Sequence, residues 1–218
     1  MSDLGIEIQG ERLHLLPERA VHWPRRRTLV AADLHLGKAT SFRTAGIPLP
    51  GGITAATLAR LGRALVRTRA ERFICLGDLL HANSSRTQQL LAMVSAWRQE
   101  HRQLEMILVR GNHDFRAGDP PPEWVIDCTN EPLLEAPFAW QHYPAAVAGG
   151  YGMGGHLHPA VRLRGGAFSE RLPCFYFGQS YGMLPAFGAF TGSMTIRPVN
   201  GDSVFVVADD AVIDVSPD

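Results

Sequence analysis

The sequence has little cysteine, no long apolar run and no excess of either charge. Its three cysteines (Cys75, Cys128 and Cys174) are odd in number and far apart, which excludes a disulfide framework and a close pair of metal-binding thiolates. No stretch approaches the roughly 18 apolar residues that a membrane helix needs. The N-terminal segment also lacks the basic and apolar regions of a signal peptide. We therefore expect a soluble, cytoplasmic protein with no membrane partner.

Lysine is almost absent, because 20 of the 21 basic residues are arginine and Lys38 is the exception. The 21 basic residues are balanced by 21 acidic ones, so bulk charge gives no argument for a strongly basic nucleic-acid binder. The balance is uneven along the chain: residues 1–117 carry a net charge of +7 and residues 118–218 carry −7. Codon usage is the simpler explanation of the arginine excess, and a basic face for an anionic substrate is the alternative.

Four short apolar runs predict buried strands, and each run ends in a polar turn. These runs are Thr28–Ala32, Phe73–Leu76, Met106–Val109 and Phe138–Trp140. Helical patterns lie between them. Residues 54–69 form one pattern, whose apolar stripe consists of Leu58, Leu61, Leu65 and Val66. Ser84 or Ser85 is placed to cap a second helix.

The second half of the chain predicts a different kind of sheet. It contains short strand-like pieces separated by Gly, Pro and Asn turns, which favour a mostly antiparallel arrangement. These pieces are Val161–Leu163, Cys174–Phe177, Met194–Arg197, Val204–Val207 and Val212–Val215. We expect this second sheet to close against the first. No repeat or linker divides the chain, so we expect one domain over residues 1–218.

Polar side chains follow the ends of the predicted strands. They are Asp33, His35, Asp78, Asn112, His113, Asp114, His142, His156 and His158. Ligands of an α/β sheet bind at the carboxyl ends of its strands, so we expect these side chains to converge. Oxygen and nitrogen donors of this kind suit Mn²⁺, Fe or Zn²⁺ better than Ca²⁺.

One Asp/His pair and one His/His pair have a spacing of two residues. They lie in Asp33-Leu34-His35 and His156-Leu157-His158. On an extended chain this spacing places both members of a pair on one face, where they can hold one ion. The intervening Leu34 and Leu157 are then expected to point into the core.

The segments DLHLGK, GDLLH, GNHD, the isolated His142 and GHLHP resemble the motifs of the calcineurin-like metallophosphoesterases, in the same order. The resemblance spans residues 33–158. It implies an α/β fold, the four-layer α-β-β-α sandwich of two facing mixed sheets flanked by helices. It also implies a phosphoesterase in which water, activated by two metal ions, attacks phosphorus in line.

The resemblance also assigns roles to the individual residues. Asp33, His35 and His158 would bind the first metal. Asn112, His142 and His156 would bind the second, and Asp78 would bridge the two ions. His113 would be the catalytic histidine, held by Asp114. Lys38, Arg43 and His81 lie just past these residues and are candidates for contact with substrate phosphate.

Residues 172–192, together with DLHLGK and the small size, are similar to the PdeM-type enzymes of the bacterial ligase-associated DNA damage response. This closer resemblance implies a Mn²⁺-dependent phosphodiesterase or endonuclease, with DNA as substrate. It also implies DNA ligase, helicase and exonuclease as repair partners.

Two other functions are open from the sequence. Zero net charge and a small, uncapped domain favour a phosphodiesterase of small nucleotides, such as 2′,3′-cyclic ones. A non-catalytic interaction module would be expected to lack some of the ligand residues or the catalytic histidine, and here every one is present. The nuclease is therefore the favoured prediction.

Overall fold

The first half of the chain folds into a seven-stranded sheet with helices against one face. The computed structural model describes residues 2–44, 46–47, 49–165 and 168–217. The strands are β1 (Leu4–Ile8), β2 (Glu11–Leu16), β3 (Ala20–Trp23), β4 (Thr28–Ala32), β5 (Arg72–Leu76), β6 (Glu105–Val109) and β7 (Asp127–Thr129), and they lie side by side in chain order. β1 to β4 are antiparallel, and β4 to β7 are parallel. The strands before Thr28 were not predicted from the sequence.

The helices of this half are α1 (Lys38–Thr44), α2 (Ile53–Thr68), α3 (Gln88–Glu100) and α4 (Asn112–Ala117), with single 3₁₀ turns at Pro24–Arg26, Asn83–Ser85 and Pro122–Trp124. α2 and α3 are the crossovers between β4, β5 and β6. Each parallel strand therefore ends at the same edge of the sheet, where its following loop begins. The predicted strands β4, β5 and β6 are confirmed to within one residue.

The buried face of α2 differs from the predicted stripe at one position. Leu58, Leu61 and Leu65 are buried as expected, but Val66 is 76% exposed and Ala64 is buried in its place. Val66 follows Leu65 by one position, which turns it about 100° away around the helix. Ala64 follows Leu61 by three positions and therefore stays on the same face.

The predicted cap of α3 is also wrong. The side chain of Thr87 accepts a hydrogen bond from the backbone nitrogen of Leu90 at 3.2 Å, so Thr87 is the N-cap. Ser84 and Ser85 lie in the preceding 3₁₀ turn, and the Ser85 hydroxyl donates to the carbonyl of Ala82 at 2.6 Å. The serine side chain thus stabilises the turn before the helix and not the helix itself.

The second half of the chain forms a nine-stranded mixed sheet. Its strands are β8 (Leu133–Glu135), β9 (Phe138–Trp140), β10 (Tyr151–Gly154), β11 (Pro159–Gly165), β12 (Phe168–Phe177), β13 (Tyr181–Met183), β14 (Met194–Thr195), β15 (Ser203–Ala208) and β16 (Ala211–Asp214). Five of its eight strand pairs are antiparallel, as predicted. The piece predicted at 194–197 is a strand only over Met194–Thr195.

The two sheets face each other across a core of aromatic and branched side chains. Trp23 from the first sheet packs edge-on against Phe138 from the second, with ring centroids 5.1 Å apart. A second core fills the space between the first sheet and its helices. The outer face of the second sheet carries a smaller apolar cluster that includes Ile196, and no helix occurs in the described part of the chain after Trp124. The predicted sandwich of two facing mixed sheets is confirmed.

No helix within the described ranges is long and apolar enough to cross a membrane.

Candidate metal centre

The predicted site residues converge where the edges of the two sheets meet. The loops after β4, β5 and β6 bring Asp33 and His35, Asp78, and Asn112 and His113 to the carboxyl edge of the first sheet. The second sheet adds three histidines from the loops after β9 and β10, which are His142, His156 and His158. Residues that are far apart in sequence are therefore close together because the parallel strands share one edge.

The backbone of these loops is not extended, contrary to the expectation from the two-residue spacing. Asp33, His35, Asp78, His156 and His158 all have left-handed φ values between 46° and 60°. Such φ values are uncommon for residues other than glycine, and strained backbone of this kind clusters at functional sites.

Hydrogen bonds between neighbouring loops hold this backbone. The nitrogen of Asp33 donates to the carbonyl of Gly77 at 3.2 Å, and the nitrogen of His35 donates to the carbonyl of Asp78 at 2.8 Å. Leu34 is buried in the core as predicted, at 2% exposure, whereas Leu157 is only partly buried. Tight left-handed turns thus bring Asp33 and His35 into one donor group, whereas His156 and His158 belong to different groups.

Asp33, His35 and His158 form the first donor group. One donor atom from each lies within 4.8 Å of the others. His158 Nδ1 donates to the carbonyl of Gly192 at 2.8 Å, so its Nε2 presents a lone pair at 3.5 Å from Asp33 Oδ1. Among the described residues, neither Asp33 Oδ1 nor His158 Nε2 has a hydrogen-bond partner, although both atoms are buried. Buried donor atoms without partners fit a site for a cation.

Asp78, His142 and His156 form the second donor group, and Asn112 adjoins it. His142 Nδ1 donates to the carbonyl of Leu76 at 3.1 Å, which leaves Nε2 as the free ring nitrogen. This Nε2 lies 3.0 Å from Asn112 Oδ1 and 3.0 Å from His156 Nδ1. Two atoms that bind one ion at about 2.1 Å, at right angles, lie about 3 Å apart, so the geometry fits a shared metal.

Asp78 lies between the two groups. Its Oδ1 is 3.6 Å from His142 Nε2 in the second group, and its Oδ2 is 3.7 Å from His35 Nε2 in the first. Burial raises the pKa of Asp78, and the neighbouring Asp33 carboxylate also raises it. These two buried carboxylates repel each other, and cations beside them would remove that repulsion.

His113 is positioned at the mouth of the centre, with 28% of its side chain exposed. Its Nδ1 lies 2.5 Å from the backbone carbonyl of His81 and donates to it, and its ring stacks on the His81 ring at 4.9 Å. Its Nε2 points towards Asp78 Oδ2, at 3.9 Å. The free nitrogen of His113 is therefore directed at the region between the donor groups, where a substrate phosphate would lie.

Asp114 does not hold His113, contrary to the role predicted for it. It is buried, and its two carboxylate oxygens accept hydrogen bonds from the backbone nitrogens of Asp78, Leu79 and Gly111 at 2.7, 3.0 and 2.8 Å. Burial raises the pKa of Asp114 to about 6, although these hydrogen bonds act in the opposite direction. Asp114 therefore joins the loops after β5 and β6, and the His81 carbonyl orients His113.

Glycines allow these loops to approach one another. A Cβ atom on Gly77, which has a φ of +76°, would lie 2.1 Å from His142 Nδ1. A Cβ on Gly111 would lie 2.5 Å from Asp78 Oδ1. Close approach thus requires both glycines, and Gly77 is also required by its positive φ.

The three candidates for substrate contact are placed differently. His81 lies in the centre against His113 and His35, and burial lowers its pKa to about 4. Burial also lowers the pKa of Lys38, but the carboxylates of Asp33 and Asp78 are close enough to act in the opposite direction. Arg43 is exposed and donates to the carbonyl of Pro50 at 3.1 Å, so the structure ties it to the loop before α2.

Two residues beside the second donor group were not predicted from the sequence. Glu131 Oε2 accepts hydrogen bonds from the backbone nitrogens of His142 and Tyr143, at 2.6 and 3.0 Å. The Tyr143 ring packs on the His156 ring with centroids 4.3 Å apart and remains 45% exposed. The aromatic residue next to His142 was a visible signal, whereas nothing in the sequence around Glu131 indicates its contact.

A third group of nitrogen donors consists of His35, His81 and His113, and it shares His35 with the first group. One donor atom of each lies within 4.8 Å of the others. This group has no carboxylate. A divalent ion is bound more strongly where anionic oxygens neutralise its charge, so the two groups that contain Asp33 and Asp78 are the better cation sites.

The chain is similar to a family of known proteins and to solved structures. Residues 26–179 match the family described as Calcineurin-like phosphoesterase. A crystal structure of Pseudomonas putida nuclease MPE is 41% identical to the chain with a TM-score of 0.88, over 98% of this chain and 100% of that one. Yfce, a phosphoesterase from E. coli, is 15% identical with a TM-score of 0.43, over 88% of this chain and 99% of that one. No curated protein sequence matches the chain.

Proposed function

Because the chain belongs to the calcineurin-like phosphoesterase family and hydrolyses phosphoester bonds, we propose that it is a nuclease that cleaves phosphodiester bonds of DNA at two divalent metal ions. The observation that carries this proposal is the position of Asp78, with one oxygen towards each of two donor groups. The nuclease from P. putida, which matches the whole chain, supports DNA or another nucleic acid as the substrate.

Each donor group would hold one ion. Asp33, His35 and His158 would bind the first, and Asn112, His142 and His156 the second, with Asp78 between them. When bound, such a pair of cations supplies an activated water and neutralises charge on the phosphate. The donors are imidazole, carboxylate and amide groups. Mn²⁺ is the proposed metal, and Fe and Zn²⁺ are the alternatives.

The chain's own residues would orient and stabilise the substrate. His113 is fixed by the His81 carbonyl through Nδ1, so Nε2 is available to stabilise charge on the phosphate or to protonate the leaving oxygen. Lys38 adds a positive charge near the same region and is a candidate phosphate contact. Asp114 keeps the Asp78 and Gly111 loops at the distance that the donor groups require.

The proposed setting is bacterial DNA repair, with DNA ligase, helicase and exonuclease as partners. It rests on the resemblance of residues 172–192 to the PdeM-type enzymes. The single-domain organisation over residues 1–218 and the cytoplasmic location belong to the same proposal. The location rests on the three cysteines, none of which is paired in the structure.

Parallel assays of the purified protein with Mn²⁺ test the substrate. Bis-p-nitrophenyl phosphate reports the metal centre alone, while single-stranded DNA, plasmid DNA and 2′,3′-cyclic AMP separate the candidate substrates. We expect hydrolysis of bis-p-nitrophenyl phosphate and of DNA, both abolished by EDTA. Turnover of 2′,3′-cyclic AMP without cleavage of DNA would show that the protein is a phosphodiesterase of small nucleotides and not a nuclease. Inactivity towards all four substrates would overturn the proposed function.

A further inference from the structure

The hairpin of β11 and β12 carries a concentration of positive charge in the acidic half of the chain. Residues 118–218 contain four basic residues, and three of them, Arg162, Arg164 and Arg171, are exposed on this hairpin. We call these three side chains the arginine face.

Strand register places the three arginines on one side of the hairpin. Arg162 is paired directly with Arg171, and Arg164 is two positions further along β11. Because side chains alternate along a strand, all three share one face. The opposite face carries Val161, Leu163 and Leu172, which pack into the outer apolar cluster, and also Glu170. The carboxylate nearest in sequence therefore points away from the arginine face.

The pairing of Arg162 with Arg171 is unfavourable by itself, since like charges directly opposite each other on adjacent strands repel. Five other arginines of the described chain form ion pairs with acids, which are Arg25, Arg27, Arg67, Arg72 and Arg110. Arg67 binds Asp3 and Glu18, and Arg110 binds Asp119. On the arginine face, by contrast, no ion pair joins any of the three side chains to a described residue. The face thus holds charge that no acid of the described chain neutralises.

One member of the arginine face, Arg171, borders a cavity of about 240 Å³ beside the metal centre. His158 of the first donor group and Arg171 both line this cavity, and Arg19 faces it from the turn between β2 and β3. Arg19 is half-buried and has no ion pair with any residue in the described ranges. Positive charge therefore continues from the hairpin to the edge of the first donor group.

An aromatic ring lies at the same cavity. Phe190 lines it, is 54% exposed and has a left-handed φ of 58°. An exposed ring beside unpaired arginines is the combination with which proteins bind single nucleic-acid strands: the arginines follow the phosphates and the ring stacks on a base. A duplex has no unstacked base to offer to Phe190.

We propose that Arg162, Arg164, Arg171 and Arg19 bind the backbone phosphates of a single DNA strand on the His158 side of the metal centre, with Phe190 stacking on one of its bases. This proposal rests on the proposed function, because it places the strand so that a neighbouring phosphodiester reaches the donor groups. It assigns substrate binding to residues outside the metal centre and predicts that they act on affinity and not on the chemical step.

The test is a charge-removal variant with a matched control. Arg162→Gln/Arg164→Gln/Arg171→Gln removes the arginine face. Arg12→Gln/Arg69→Gln/Arg102→Gln removes the same charge from exposed positions at the opposite edge of the first sheet. Each Mn²⁺-loaded protein is assayed on bis-p-nitrophenyl phosphate and on a labelled single-stranded 20-mer at several salt concentrations.

We expect the arginine-face variant to retain wild-type hydrolysis of bis-p-nitrophenyl phosphate and to lose at least about tenfold in kcat/KM on the 20-mer. The log–log salt dependence should become shallower by about 0.7 per lost phosphate contact. Phe190→Ala should weaken cleavage of the single strand by roughly 5- to 100-fold, with a smaller effect on the matching duplex. The control variant should behave as wild type on all substrates.

Equal kcat/KM for the arginine-face and control variants on the 20-mer would overturn the inference while leaving the nuclease in place. Wild-type protein that hydrolyses bis-p-nitrophenyl phosphate but cleaves no DNA would also overturn the inference, and would leave a phosphodiesterase of small substrates. Wild-type protein inactive on both would overturn the inference and the proposed function together.

Discussion

The two sheets contribute to the candidate metal centre in different ways. From the first sheet, Asp33, His35 and Asp78 are at most 5% exposed, and hydrogen bonds between the parallel-strand loops fix their backbone. From the second sheet, His156 and His158 are only partly buried, and the nitrogen of His156 is tied to Asp33 Oδ2 at 2.9 Å. The first-sheet carboxylates, His35 and His142 therefore form the buried side of the centre, whereas His113, His156 and His158 lie on the side that a substrate reaches.

This difference predicts that substitutions among the buried donors of the first sheet affect both metals and the fold. Substitutions on the accessible side should affect one metal, or the substrate alone.

The largest effect is expected for Asp78→Asn. Removal of the shared carboxylate leaves two cations without their common anion, so both ions should be lost and activity should fall to the level of the EDTA-treated protein. Compared with metal-free wild type, the metal-free variant should nevertheless be more stable, because the repulsion between Asp78 and Asp33 is removed. A gain on the order of 1 kcal/mol would raise the thermal midpoint by roughly 2–4 °C. Elemental analysis showing two ions per chain in the variant would contradict the bridging role.

His113→Ala should keep both metals and substrate affinity but lose rate, since a positioned acid or base contributes typically about 10²–10⁴-fold. If His113 donates a proton, the loss should be smaller for p-nitrophenolate than for a nucleoside leaving group. Kinetics with both kinds of substrate measure this difference. Equal losses would assign His113 to charge stabilisation, and loss of metal would show that it is a ligand.

Asp114→Ala should act on stability more than on chemistry. It leaves the backbone nitrogens of Asp78, Leu79 and Gly111 without their acceptor. Each buried unsatisfied group costs roughly 1–3 kcal/mol, so the free energy of unfolding should fall by on the order of 3 kcal/mol or more. Denaturant unfolding of the metal-free proteins measures this free energy. Asp114→Asn is the comparison, and it should lower the free energy of unfolding by less. Unchanged stability with a large loss of rate would restore the catalytic role predicted from the sequence.

Glu131→Ala should weaken metal binding at the second group, because Glu131 holds the backbone of His142 and Tyr143. Loss of such an outer contact typically lowers metal affinity by roughly 10- to 100-fold. Glu131→Gln keeps an acceptor oxygen, so its metal affinity should fall by less. Metal titration followed by calorimetry distinguishes the two ions. An equal effect on both would argue against the separation of the groups.

The smallest effect is expected for Arg43→Ala. Its guanidinium is bonded to the loop before α2, so activity should change by less than about twofold. Lys38→Ala is the comparison. Lys38 lies near Asp33 and Asp78, so its substitution should raise KM for DNA. A larger loss for Arg43→Ala than for Lys38→Ala would restore Arg43 as a substrate contact.

Much of the centre could be predicted because Asp33, Asp78 and Asn112 each follow a mostly apolar strand. β4, β5 and β6 are recognisable as buried runs, and parallel strands must end at one edge, so Asp33, Asp78 and Asn112 had to meet. The left-handed turns could not be predicted, since a two-residue spacing is equally compatible with an extended chain.

The remaining features depend on contacts that the local sequence does not encode. Glu131 binds backbone nitrogens eleven and twelve residues away, and a backbone nitrogen leaves no pattern in the side chains. Asp114 adjoins His113 in sequence, which suggested a pair, yet the short helix α4 directs its carboxylate to the loop after β5. The arginine face requires the register of β11 against β12, which a charge count over the second half conceals.

Anomalous diffraction from crystals grown with Mn²⁺ tests the central claim most directly. The account predicts two peaks, about 3.5–4 Å apart, one beside Asp33, His35 and His158, the other beside Asn112, His142 and His156, with Asp78 between them. A single peak, or a peak among His35, His81 and His113, would contradict it.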